Sequence, residues 1–288
     1  MSTGEPRGVV AITGASGYLG GVIKRRCEAD GWTTVDLVRT PRSDADRRFV
    51  IGAPLEPNLL DGVDALIHCA YDMTLTSEED IWKINVRGSK QLLDLATNVG
   101  CDRVIVLSSM SAYEGTTQLY GRSKLAIEEA SRTAGAISVR PGLVYGPNAG
   151  GMAGALSKAG ALPVIPVPAS QSYQFTVHED DFADAIVSLL VAKDPGVEPI
   201  GIANPTPVRF SKVIKGLVRA NGATVRTVPV SWRLVHSVLE TLEKLPVALP
   251  FRSDSLYGLA NPAPSVPNLE VLAGLNVTLR RFEQPTLP

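Results

Sequence analysis

The run Val9-Val-Ala-Ile-Thr-Gly-Ala-Ser-Gly-Tyr-Leu-Gly20 decides the fold. Its first five residues are apolar or β-branched, as in a buried strand, and Leu19 to Asp30 then shows apolar residues at three-to-four spacing, as in an amphipathic helix. Glycines stand between and around these elements at 14, 17 and 20. Glycine at such positions lets the chain turn tightly and lets backbone N–H groups approach a pyrophosphate at the start of the helix. The spacing is G-x-x-G-x-x-G, which differs from the common G-x-G-x-x-G and marks a separate branch of dinucleotide-binding sequences. Gly14, Ser16, Gly17, Tyr18, Leu19 and Gly20 are therefore the first candidate cofactor contacts. Which dinucleotide binds depends on the end of the second strand, Thr33 to Val38. Arg39 stands just past it and Arg42 three residues later, and guanidinium groups there favour the 2′-phosphate of NADP. Asp36 is the alternative, as an acceptor for the ribose of NAD, but it falls in mid-strand.

Outward from this loop, short apolar runs alternate with helical patterns, the sign of βαβ units and a parallel sheet. Further strands are expected at Ala65 to His68, Val104 to Ser108 and Ile137 to Arg140, with helices at Ile81 to Val99 and Tyr120 to Thr133. After Arg140 glycine and proline crowd in, and one more helix, Asp180 to Ala192, and a strand, Ile200 to Ala203, follow. The expected organisation is an α/β fold: a doubly wound parallel sheet in residues 1–146, completed by about 174–204, with a smaller, discontinuous substrate-binding lobe from 147–173 and 205–288.

Composition removes several classes of function. The 288 residues are 44% apolar and 20% charged with a net charge of −1, so no broad basic field is present to draw nucleic acid or an anionic membrane. No uninterrupted apolar stretch reaches the roughly 18 residues of a membrane span, and Met1 to Gly8 lacks the plan of a signal peptide. Cys27, Cys69 and Cys101 are odd in number and widely spaced, as expected of reduced packing residues in a cytoplasmic protein. His68, His178 and His236 have no partners at metal-ligand spacing, so no metal is expected. The stretch Trp232 to Phe251 is apolar on one face, which fits packing in the second lobe.

Chemistry is signalled by Tyr120-Gly-Arg-Ser-Lys124, where a spacing of four places phenol and ammonium on one helix face. A lysine beside a tyrosine stabilises the phenolate and turns the phenol into a usable general acid or base. The preceding strand runs into Leu107-Ser108-Ser109-Met-Ser111, whose hydroxyls can donate to the same substrate oxygen.

These features together resemble an extended or atypical short-chain dehydrogenase/reductase of the NAD-dependent epimerase/dehydratase group. The resemblance is carried by TGASGYLG (13–20), DGVDALIHCA (61–70), Asn85-Val-Arg-Gly88, the serine segment, YGRSK (120–124), RPGLVYGP (140–147) and TVHEDDFADA (176–185). It implies a Rossmann sheet that binds the cofactor pyrophosphate on the glycine loop, with Tyr120 as acid/base. Lys124 would hold the nicotinamide ribose and tune Tyr120, Ala70 would lie along the cofactor, and Pro141, Gly142 and Val144 would line the nicotinamide side. Asn85 would be structural, Asp181 would cap the helix it opens, and a homodimer would form on the helices at 81–99 and 120–133. Ser109 is the expected catalytic hydroxyl, with Ser111 as its rival. The segment between serine and tyrosine is only Glu114-Gly-Thr-Thr-Gln-Leu119, shorter than in nucleotide-sugar members, and Met110-Ser111 replace the acidic pair of the dehydratases. Reversible hydride transfer between NADP, or NAD, and a small carbonyl or secondary alcohol is the expected activity. A nucleotide-sugar epimerase holding NAD tightly, and a silent NADP-sensing regulator or scaffold, are the alternatives.

Overall fold

The computed structural model describes residues 7–158, 164–243 and 252–282. The polar lead before residue 7 and the end of the apolar Trp232–Phe251 stretch lie outside the described residues. In chain order the elements begin β1 (Val9–Thr13), α1 (Tyr18–Ala29), β2 (Thr33–Val38), β3 (Arg47–Arg48), β4 (Ala65–His68) and α2 (Glu78–Asp80). A π-helical turn (Ile81–Val86) leads into α3 (Arg87–Val99), then β5 (Arg103–Leu107), α4 (Leu119–Thr133), β6 (Ile137–Pro141) and β7 (Leu143–Tyr145). There follow α5 (Gly151–Lys158), β8 (Val164–Pro168), β9 (Tyr173–Gln174), β10 (Thr176–His178), α6 (Glu179–Leu190) and β11 (Ile200–Ile202). The chain ends with β12 (Val208–Arg209), α7 (Phe210–Ala220), β13 (Arg226–Val230), α8 (Trp232–Leu242), α9 (Ser253–Ala260) and α10 (Leu269–Gly274).

Seven strands form one sheet in the order β11-β6-β5-β4-β1-β2-β3, and every pairing in it is parallel. The chain winds outward from β1 to β3, then returns to lay β4 on the other side of β1, so the order reverses between β1 and β4. Ligands of open parallel sheets bind at this reversal, outside the carboxyl ends of the strands. Alternate residues of β1 face opposite ways. Val10 and Ile12 join the core under α1, α6 and α10, with Ile23, Phe182 and Leu272, while Ala11 joins the core under α3 with Leu92 and Ala96. Both faces of the sheet are covered at its centre, which explains why β1 and β4 read as nearly continuous apolar runs.

Beyond Pro141 smaller pairings take over. β7 pairs with β10, β8 with β13 and β9 with β12, and Ile165, Val167, Phe210, Ile214 and Val218 form a separate cluster there.

The structure corrects some local expectations. The helix expected over 81–99 is interrupted by the π-helical turn, in which buried Asn85 accepts from Asp72 N (2.7 Å) and donates to Asp72 O (3.1 Å). Asn85 thereby ties down the loop after β4, a structural task. The cap of α6 is His178, whose side chain accepts from Asp180 N; Asp181 sits a turn inside and instead holds Arg280. The helix over 232–242 has no buried residue: Trp232 and His236 make edge contacts with Tyr257, while Leu234 and Val238 face outward. All three cysteines are free thiols, and burial raises the Cys27 thiol to about 12. Among the described residues no helix is long and apolar enough to cross a membrane, and no cluster of metal-ligating side chains occurs.

Candidate active site

The glycine loop lies at the reversal of strand order. Gly14 has φ +68°, in the left-handed region, and Gly17 N donates to Gly14 O at 2.9 Å to close the turn. A Cβ on Gly20 would run into the backbone of Gly14, so α1 can pack this close only with glycine there. The α1 N-terminus carries no side-chain cap and no acidic residue in its first turn, and Ser16 and Gly17 are exposed at the loop tip. Free N–H groups at an uncapped helix start suit a phosphate anion, so this loop fits the pyrophosphate of a dinucleotide. Leu19 is half-buried, and Ala70 stands across the loop at the end of β4, where its N–H donates to Thr13 Oγ1 (3.0 Å). Tyr18 is directed away from the loop tip: its hydroxyl donates to Glu179 Oε2 at 2.7 Å, and burial together with that carboxylate raises the phenol well above its usual range.

At the adenosine end Asp36 is held by Lys24 of α1 at 2.8 Å. Arg39 is exposed just past β2, close enough to Asp72 to help lower that carboxyl, after the hydrogen bonds from Thr74. Arg42 lies in a loop pinned by Asp46, which accepts the backbone N–H groups of Arg42 (2.7 Å) and Ser43 (3.2 Å).

The second group of predicted residues meets at a cavity of about 290 Å³ beside the ends of β5 and β6. Ser109, Ser111, Tyr120, Pro141 and Gly142 all line it, whereas Val144 is packed into the main core with Ala15 and Val177. Ser109 accepts Ser111 N at 3.1 Å, and its hydroxyl stands close enough to the Tyr120 phenol to favour the ionised form. Of the two serines, Ser109 is the one the fold brings to Tyr120. Burial lifts the Tyr120 phenol to about 12, the neighbouring Tyr71 adds to this, and the Ser109 hydroxyl draws it back in part. Lys124 is buried, and that burial lowers its ammonium to about 8. Its Nζ donates to Leu107 O (2.7 Å) and lies 5.8 Å from the Tyr120 ring centre.

Two neighbours of this group carry no signal in the sequence motifs. Tyr71 lies edge-on to Tyr120 with ring centres 5.2 Å apart, and the Lys124 ammonium sits 4.6 Å above the Tyr71 ring. Ser123 gives its only proton to Tyr120 O (2.8 Å), so the Tyr71 hydroxyl is the donor in its 2.8 Å bond with Ser123. Asp254, on α9, accepts Leu119 N (3.0 Å) and Tyr120 N (3.4 Å) and so caps the helix that carries Tyr120 and Lys124. Position 71 follows directly on a block that signals a strand end, which is a faint pointer. Asp254 has none, because it lies 134 residues from Tyr120 in sequence.

A phosphate-fitting loop after β1 and a buried phenol–ammonium pair on α4, which follows β5 of the same parallel sheet, define a class. The chain is an enzyme of the extended short-chain dehydrogenase/reductase type, a class of NAD(P)-dependent oxidoreductases and epimerases. More narrowly, it belongs to the NAD dependent epimerase/dehydratase family, whose sequence model matches residues 10–203. It is 30% identical over 235 residues to a ceramide reductase of Caulobacter vibrioides, covering 78% of this chain and 74% of that protein. Its fold is similar to that of MoeE5 in complex with UDP-glucuronic acid and NAD (TM-score 0.73, 19% identity, 95% of this chain and 94% of that one). It is also similar to that of the UDP-N-acetylglucosamine 4-epimerase from Bacillus cereus (TM-score 0.64, 20% identity, 86% and 94% of the two chains).

Proposed function

We propose that the protein catalyses reversible hydride transfer between NADP(H) and a carbonyl or secondary alcohol. The observation that carries this reading is the meeting of Ser109 and Tyr120 at one cavity wall with Lys124 buried behind the Tyr120 ring, at the end of the sheet that also presents the glycine loop. When bound, the reduced dinucleotide supplies the hydride. Tyr120 gives its phenolic proton to the carbonyl oxygen as that oxygen gains charge, so the C=O bond ends as an alcohol. Ser109, whose oxygen already accepts Ser111 N, donates its own proton as a hydrogen bond to the same oxygen and orients it. Lys124 keeps its charge below about pH 8 and stabilises the phenolate that Tyr120 leaves behind. In the oxidative direction the same groups act in reverse. The similarity to a ceramide reductase supports reduction, and the missing acidic pair at Met110-Ser111 disfavours dehydration.

NADP is favoured because Asp36 is already engaged by Lys24, while Arg39 stands exposed at the strand end. Calorimetric titration should give at least about tenfold tighter binding of NADPH than of NADH, some 1.4 kcal/mol. Arg39→Ala should remove most of that difference and leave NADH affinity nearly unchanged. NADH preference, or NAD retained through purification, would favour the epimerase reading. The resemblance also implies a dimer through α3 and α4, whose shared groove presents the small residues Ala126 and Ala130; light scattering at twice the chain mass is the expected result.

A further inference from the structure

We infer that the cavity beside Tyr120 takes an uncharged ketone with an apolar body, and not a nucleotide sugar; this deepens, and rests on, the hydride-transfer reading of the site. Among the described residues that line it, the charged side chains are Arg252 and Asp254, which sum to zero. Arg252 spends one of its five N–H donors on Leu75 O at 2.9 Å, and the Asp254 carboxylate accepts the N–H groups of Leu119 and Tyr120, one on each oxygen. A diphosphate would therefore enter a partly closed site without a surplus of positive charge, and charge buried without a partner is strongly unfavourable.

Three amides of the lining are each tied to a backbone carbonyl. Gln118 donates to Asp254 O (2.9 Å), Gln174 to Leu259 O (3.0 Å) and Asn261 to Tyr257 O (3.0 Å). These amides help to hold the cavity walls together, each through an N–H on a backbone carbonyl. Much of the remaining surface is apolar, supplied by Met73, Leu75, Leu143, Met152, Phe175 and Leu259. Met73 is 59% exposed although it lines the cavity, which places a flexible, unbranched apolar side chain at the rim. Ser109 and Tyr120 meet the reacting oxygen at one end, and an apolar wall leads from there to an apolar rim. An aliphatic ketone fits this division: hydride adds to its carbonyl carbon, the Tyr120 proton adds to its oxygen, and the chain lies along the methionines and leucines.

The test uses the full chain with NADPH, a series of 2-alkanones from four to ten carbons, and UDP-glucose as the polar comparison. Turnover is followed by NADPH absorbance. Binding of the corresponding 2-alkanols to the protein without cofactor is measured separately by calorimetry. The expected result is that kcat/KM and alcohol affinity both rise roughly two- to fourfold per added methylene, with no binding of UDP-glucose by calorimetry. Met73→Asp, at an exposed position that tolerates charge, should weaken the longest alcohols at least fivefold and leave the shortest unchanged. Chain-length-dependent binding without NADPH oxidation would uphold the apolar cavity and overturn the hydride-transfer reading. Binding that favours UDP-glucose, or ketone turnover and alcohol binding that ignore chain length, would overturn this inference and leave hydride transfer standing.

Discussion

The Thr13 hydroxyl accepts the N–H groups of Cys69 (2.9 Å) and Ala70 (3.0 Å), so both its lone pairs are in use and its own proton goes to His68 Nδ1 at 2.8 Å. His68 is therefore the Nε2–H tautomer and donates to Ser89 Oγ at 2.8 Å. Burial, with a smaller contribution from the Lys124 charge, lowers this imidazole to about 3, against an ordinary value of 6.5. The folded protein refuses a proton that the unfolded chain takes up below pH 6.5. Stability from this residue is thus complete above pH 6.5 and falls as the pH drops from there towards 3. The slope is about 1.4 kcal/mol per pH unit. Urea midpoints measured between pH 7 and pH 4 should fall less steeply in His68→Gln than in the parent protein; equal slopes would show that His68 does not carry the acid sensitivity. In the sequence His68 reads as structural, and it is. Its two hydroxyl partners lie 55 and 21 residues away, beyond the reach of local pattern.

At the level of elements, α4 is the piece on which the chemistry depends. Its buried face carries Ser123, Lys124, Ile127, Glu128 and Ser131, and Glu128 pairs with Arg140 of β6 at 2.6 Å. Its first turn lacks a cap from its own N-cap residue and is closed by Asp254. Asp254→Ala should cost about 1 kcal/mol of stability, and Asp254→Asn, which caps as well, should recover most of it. Denaturant unfolding of both variants checks this, and equal losses would mean that charge rather than capping matters. The strands β1, β2 and β4 are legible to the residue: β1 and most of β4 are apolar because both faces are covered there, and β2 is a β-branched and apolar run broken only by Asp36. The interruption of the 81–99 helix is not legible, since a π-helical turn disturbs the apolar period too little to show. The exposed α8 reads misleadingly, because an amphipathic pattern says that one face is apolar and not what covers it.

Taken as a whole, the molecule brings the glycine loop after β1, Arg39 after β2, Ala70 after β4, Ser109 after β5 and Pro141 at the end of β6 to one edge of a single sheet. Parallel strands require this gathering, because all their carboxyl ends point one way, and it is why so much of the candidate site is readable from motifs at strand ends. The cavity's far wall comes from α9 and the segment after it, where no motif exists, and its chemistry emerges only from which polar groups are already paired. Hydride transfer through Tyr120 is the claim on which the rest depends. Its most direct measurement is single-turnover NADPH oxidation by the parent protein and Tyr120→Phe, with an accepted ketone, alongside NADPH affinity for both. The expected result is a loss of at least about 10²-fold in rate with NADPH affinity unchanged; a variant that turns over at the parental rate would contradict it.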